Sequence, residues 1–150
     1  MVKIDAIDER ILQTLQKDAR VSNTDLAARV GLSPSACLRR VQALERGGIV
    51  TGYRAVLDRP ALGIGFVAYV TVGLSSHTKT AQQAFERAMA AAPEVRECHN
   101  ITGGVEYLLR VEAADLAAYK LFHTEHLGTV PEVNAITTYV VMASPKDERA

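Results

Sequence analysis

Apolar residues recur at helical spacing through the first part of the chain and at strand spacing through much of the rest. In DERILQTLQKDAR, Ile11, Leu12 and Leu15 share a stripe with Ile7 ahead of them, and Asp5 or Asp8 can cap the start. SNTDLAARVG predicts a second helix of about two turns. Ser22 accepts from the amide near Asp25 while Asp25 reaches back, Leu26, Ala27 and Val30 form the apolar face, and Gly31 suits the left-handed end. A third helix starts at the cap Ser33, takes Pro34 in its first turn, and stops at Gly47 and Gly48. Three helices with a four-residue turn between the last two form a helix-turn-helix.

On a helical wheel the third segment places Cys37, Val41 and Leu44 together, with Leu38 at the margin. The opposite face centres on Arg39, flanked by Ser35, Ala43 and Arg46, with Ala36 and Arg40 to one side and Gln42 to the other. That face is basic, free of acids and lined with small residues near its N-terminus, so it can approach a major groove closely. The candidate DNA-binding residues are therefore Ser33, Ser35, Ala36, Arg39, Arg40 and Gln42. Arginine can pair bidentately with guanine, and the serines and helix N-terminus can meet phosphate.

After Asp58-Arg59-Pro60 the pattern changes to FVAYVTVGL, a buried strand by its β-branched and aromatic content. A helix follows in TAQQAFERAMAAA, with Ala81, Phe85, Ala88 and Met89 on one stripe. Strands are expected in PEVRECHNI, YLLRVEA and PEVNAITTYVVM, with a helix in DLAAYKLFHTEHL before the last. Pro-Glu-Val at 93–95 and again at 131–133 stands each time between a helix and a strand. The segment thus reads as βαβ twice: a ferredoxin-like βαββαβ sandwich of four antiparallel strands and two helices. The expected fold class is α+β, and an apolar sheet face left open by the helices predicts a dimer through the sheets.

Composition narrows the function. With 48% hydrophobic and 23% charged residues among 150, the chain is globular in character. Its net charge is zero, yet residues 1–60 hold ten Lys+Arg against seven Asp+Glu and residues 61–150 hold seven against ten. The basic half carries the nucleic-acid candidate. Runs such as AMAAA and YVVMA are too short to span a bilayer, so a cytoplasmic location is expected. Cys37 and Cys98 lie in different predicted domains, which offers neither a disulfide framework nor zinc spacing; both are expected to be packed thiols.

The turn Thr102-Gly103-Gly104-Val105-Glu106-Tyr107 supports two readings. Two glycines can serve a tight hairpin, which is structural reason enough for them. Alternatively, exposed amides bind a carboxylate while Glu106 meets an ammonium, the two groups of a free amino acid. His123 and His126 fall near Leu116, Tyr119 and Phe122 on the predicted buried side, with no third ligand nearby, so no metal is expected. Cys98 and His99 point to opposite faces of a strand and cannot form a dyad. No phosphate loop, GxSxG or HExxH occurs, so no enzyme activity and no cofactor are expected.

The run from Ile4 to Asp58, most densely in LSPSACLRRV and GIVTGYRAVLD, resembles the Lrp/AsnC (feast/famine) family of prokaryotic transcription factors. The likeness continues almost to the C-terminus. It implies a DNA-binding regulator controlled by a small effector, with an amino acid as the expected class, that forms homodimers assembling to tetramers or octamers. It also implies that IVTGYRAVL is a strand pairing with its mate. The expected division is therefore 1–48 helix-turn-helix, 49–62 linker strand and turn, 63–143 sensing and oligomerisation domain, and 144–150 tail. The family's effector pocket lies beside a TGxxDY turn and is completed by threonines on the last strand. Thr102, Gly103, Glu106 and Tyr107 match that motif, with Glu where Asp is usual; Gly104 and Val105 lie between them, and Thr137, Thr138 and Glu125 are the further candidates. Two rival readings remain: a sensing and interaction module that never touches DNA, and a small enzyme on the ferredoxin-like scaffold.

Overall fold

The computed structural model describes residues 3–147. It divides into two compact units, one ending at Leu57 and the other spanning Asp58–Asp147.

The first unit holds α1 (Ala6–Lys17), α2 (Asn23–Val30) and α3 (Pro34–Arg46). Each start is set by its own sequence. The Asp5 carboxylate accepts from the amides of Ile7 and Asp8, both at 2.9 Å, and Asp8 in turn accepts from the Asp5 amide at 3.2 Å. At α2 the Ser22 hydroxyl accepts from the Asp25 amide at 3.1 Å, but Asp25 reaches back to that hydroxyl, at 2.7 Å, rather than to backbone. Gly31 takes φ 74°, a left-handed geometry suited to glycine, and three residues rather than four separate α2 from α3. Ile11, Leu26, Ala27, Val30, Cys37 and Leu44 form the shared core, while Leu38 is exposed.

The linker strand implied by the family likeness is absent from the single chain: residues 51–57 carry no strand. A ladder needs a partner for its amides and carbonyls, and a lone chain offers none here. Val50 instead packs against the helical core and donates its amide to the Leu44 carbonyl at 3.2 Å. Ile49, Tyr53, Val56 and Leu57 are exposed.

The second unit contains β1 (Phe66–Leu74), α4 (Lys79–Ala91), β2 (Val95–Asn100), β3 (Tyr107–Ala113), α5 (Leu116–Glu125) and β4 (Val133–Val140), with single 3-10 turns at Pro60–Leu62 and Leu127–Thr129. The sheet order is β2-β3-β1-β4 with every pair antiparallel, the ferredoxin-like arrangement. Alternate residues of β1 and β3, namely Phe66, Ala68, Val70, Val72, Leu74 and Tyr107, Leu109, Val111, Ala113, meet Phe85, Met89, Tyr119 and Phe122 in the core. Phe85 and Tyr107 pack ring against ring with centroids 4.5 Å apart.

Three expectations are corrected here. The sheet face away from the helices is not simply apolar: beside Val67, Tyr69 and Leu108 it carries Arg110 and Glu112, only 4% and 7% exposed. Arg110 and Arg59 both bond the Glu112 carboxylate, Arg96 approaches it at 3.8 Å, and the Arg110 Nε has no partner among the described residues. Cys98 is exposed rather than packed, because β2 is an edge strand. His126 and Leu116 are exposed as well; α5 turns only Tyr119 and Phe122 fully inward, and His123 and His126 lie against those two rings, each about 6.1 Å away.

Burial pushes the Glu112 carboxyl up, but the Arg110 and Arg59 guanidiniums outweigh it and hold the group below its ordinary value. A depressed carboxylate adds stability above the ordinary carboxylate range and loses it as the pH falls through the depressed value. Glu112→Gln strands a buried guanidinium and should cost about 3–5 kcal/mol, whereas Arg110→Met with Glu112→Leu should recover most of that loss. Urea unfolding between pH 3 and pH 7 checks both, the double variant losing less stability on acidification than the wild type.

Candidate DNA interface and effector turn

The outward face of α3 is built by its cap and its neighbours. Ser33 is extended (φ −69°, ψ 150°), and its hydroxyl accepts from the Ala36 amide at 3.3 Å and lies 3.3 Å from the Ser35 hydroxyl. Ser33, Ser35, Arg39 and Gln42 are exposed and Ala36 is half-buried. No acid stands in the first turn, and Arg39 has no hydrogen-bond or ion-pair partner among the described residues.

Arg40 stands differently. Its guanidinium bonds Asp5 and Asp8 at 2.9 Å each, linking the start of α1 to the middle of α3. The Asp8 amide and the Arg40 guanidinium hold the Asp5 carboxyl below its usual range, and the two carboxylates push Arg40 further up. Arg40 thus ties α3 to the start of α1 in the free chain. The sequence reading also missed Asn23, whose amide donates to the Pro34 carbonyl at 2.8 Å and ties the start of α2 to that of α3. These contacts join residues 11 to 35 positions apart, beyond any helical periodicity; an acid pair capping one helix and a lone cation on another was the available signal.

The second candidate region closes the β2–β3 hairpin. Only one of its two glycines needs a conformation that disfavours side chains: Gly103 has φ 137° and Gly104 does not have a positive φ. Thr102, Gly103 and Gly104 are exposed. The Glu106 backbone is fixed by its amide to the Val72 carbonyl at 3.1 Å and by its carbonyl, which accepts from Ile101 at 2.8 Å and from the Asn100 side chain at 3.3 Å.

Both oxygens of the Glu106 carboxylate are engaged. The β1–β4 ladder shifts register between Gly73 and Leu74, and Glu106 Oε2 accepts the Leu74 amide at 2.6 Å. The other oxygen lies 3.1 Å from His77 Nδ1. A side chain at Gly73 would crowd the Ala135 methyl and the Asn134 amide oxygen, each at 3.2 Å, and would have to push them aside by a few tenths of an ångström. Beside it Glu132, at φ 72°, bonds Ser75 through both carbonyl and carboxylate.

The remaining candidates separate. Tyr107 is buried and donates its hydroxyl proton to Glu86 at 2.8 Å; burial and that carboxylate push its phenol up to about 12. Thr137 and Thr138, neighbours on β4, face opposite ways. Thr137 lies on the Glu106 side, across from Thr71, while Thr138 pairs its hydroxyl with Tyr119 beneath α5. Glu125 lines a different hollow with Ala84, Ala88, His126 and Thr129. The turn, Glu106 and Thr137 thus share one side of the sheet, and Tyr107, Thr138 and Glu125 belong to the other.

Comparison with known proteins gives these sites their context. Residues 67–150 match the Lrp/AsnC ligand binding domain, and residues 4–51 match a winged helix-turn-helix DNA-binding model. The chain belongs to the Lrp/AsnC family. It is 41% identical over 147 residues to the proline dehydrogenase transcriptional activator of Rhodobacter capsulatus, covering 98% of this chain and 96% of that one. It is also 41% identical over 143 residues to the leucine-responsive regulatory protein of Escherichia coli K12, covering 95% and 87%. In structure it resembles a transcriptional regulator from Neisseria meningitidis solved as its L-Met complex, with TM-score 0.93, 34% identity and coverage of 97% and 94%. An AsnC family regulator from Agrobacterium tumefaciens follows at TM-score 0.90 and 32% identity, covering 96% and 94%.

As a member of the Lrp/AsnC family the chain is a DNA-binding transcriptional regulator with a ligand-binding domain. No described helix is long and apolar enough to cross a membrane, and no group of three or more metal-ligating side chains occurs among the described residues.

The geometry of this Lrp/AsnC turn gives Glu106 a structural duty separable from its charge. Glu106→Ala leaves the Leu74 amide without its acceptor and should cost about 1–3 kcal/mol, while Glu106→Gln keeps a carbonyl there and should cost clearly less. Thermal melting of the two variants side by side tests this, and equal losses would contradict it.

Proposed function

We propose that this regulator reads duplex DNA through α3 as a homodimer assembling to tetramers or octamers, acts at the chromosome in the cytoplasm, and takes an amino acid beside the 102–107 turn as its effector. The observation that carries the DNA reading is the acid-free outer face of α3, with an exposed Arg39 that has no partner among the described residues, above a serine-capped N-terminus. Arg39 and Gln42 contact base edges, Ser33 and Ser35 contact phosphate, and Ala36 permits the approach. Arg40 acts through orientation of α3.

The segment 49–57, exposed except for Val50 and carrying Ile49, Tyr53 and Val56, supports strand pairing between two chains. Val67, Tyr69, Leu108 and Tyr139 on the helix-free sheet face support packing of sheet on sheet. Two reading heads then address half-sites about one helical turn apart. The effector changes their spacing only through a difference in its affinity between assemblies.

For the effector, an ammonium at Glu106 replaces His77, which is 76% exposed, while the other carboxylate oxygen keeps Leu74 in place. The exposed amides near Thr102 and Gly103 receive the carboxylate, with Thr137 on the same side. The L-Met complex of the Neisseria relative and the name of the leucine-responsive one favour this chemical class.

Arg39→Ala should weaken binding to a selected duplex by about 1–3 kcal/mol and relax its sequence preference without changing assembly. Arg40→Ala should instead lower the melting temperature of the helical unit; unchanged affinity for Arg39→Ala would mean the reading face lies elsewhere. Thermal-shift screening against the twenty amino acids should find a ligand that raises the melting temperature. Glu106→Gln should abolish that shift in a folded protein, and a wild-type response from this variant would move the pocket away from the turn.

A further inference from the structure

A cleft of about 230 Å³ lies between α1 and α2, lined by Arg10, Gln13, Thr14, Lys17, Arg29 and Val30. Residues 10, 13, 14 and 17 fall on one ridge of α1 by their three- and four-residue spacing, and Arg29 is supplied by the last turn of α2. Among the described residues its lining carries three cations and no carboxylate. Lys17 and Arg29 have no ion pair among the described residues, and Arg10 is steadied by donating to the Val30 carbonyl at 3.2 Å, which leaves its other N–H groups free. Helix dipoles account for a single cation in the last turn of each helix, but not for Arg10 or for the convergence of three positive charges on one hollow.

We infer that this cleft is a second nucleic-acid contact, taking a phosphodiester group of duplex DNA on α1 and α2, apart from the face of α3. Arg10, Lys17 and Arg29 are all exposed. Such a site does not enclose a free ion; it suits a polyanion whose condensed counterions are released on contact. Gln13 can donate to a phosphate oxygen, whereas the Thr14 hydroxyl proton is already given to the Arg10 carbonyl at 2.8 Å. Since phosphate contacts carry no base information, the cleft adds affinity and registers the protein on the duplex without changing what α3 reads.

The inference rests on α3 being the reading helix, and the test separates the two. Full-length wild type, the Lys17→Gln/Arg29→Gln variant and Arg39→Ala are titrated from 50 to 200 mM salt. The probes are a duplex selected by the wild type from a random pool and a scrambled duplex. The double variant should show a log-affinity against log-salt slope shallower by about 1 to 2 on both duplexes, with the affinity ratio between them kept and the melting temperature unchanged. An unchanged slope on both, while Arg39→Ala loses the preference, overturns the cleft alone. Failure of the wild type to bind either duplex overturns both readings. Stabilisation of the wild type but not the double variant by inorganic phosphate, with no change in slope, assigns the cleft to small anions and overturns the duplex contact.

Discussion

Strand alternation is the constraint on which the second unit depends. Successive side chains on a strand point to opposite faces, so every residue of the sheet is committed either to the helices or to the side away from them. Phe66 through Leu74 and Tyr107 through Ala113 give one face to Phe85, Met89, Tyr119 and Phe122. The same rule sends Arg110 and Glu112 to the other face, where they are buried as an ion pair, and divides Thr137 from Thr138. A single step of register would exchange these roles throughout, which is why the shift at Gly73 and Leu74 needs its own support.

That support comes from Glu106. A register shift leaves a backbone amide without its ladder partner, and a buried amide left unpaired is costly. Glu106 accepts it with one oxygen and turns the other toward solvent and His77. One carboxylate thus serves the backbone on one side and remains available to a cation on the other. Glu106 has one more methylene than the aspartate usual in the family motif, and it uses that reach on the ladder.

In the helical unit the equivalent task falls to Arg40. Apolar packing holds α3 through Cys37 and Leu44, with Val41 beside them. The bridge from Arg40 to Asp5 and Asp8, with the Asn23 contact to Pro34, adds polar ties at the rim. Two adjacent arginines on one helix therefore divide the work: Arg40 faces the protein and Arg39 faces away.

Local rules determined much of this protein from its sequence. The caps Asp5, Ser22 and Ser33, the stop at Gly31, the stripe of Ala81, Phe85 and Met89, and the repeated Pro-Glu-Val before two strands all act within a few residues, so helices, strands and their order were legible. The LSPSACLRRV and TGGVEY segments likewise carried the family likeness. Only the tertiary structure decided which polar groups were already taken. Arg40, Tyr107, Thr138 and Glu106 find partners 19 to 35 positions away, and no periodicity encodes such a distance. Desolvation favours the pairings of Glu106, Tyr107 and Thr138 once the chain is compact, because a polar group buried without a partner costs free energy wherever packing has placed it.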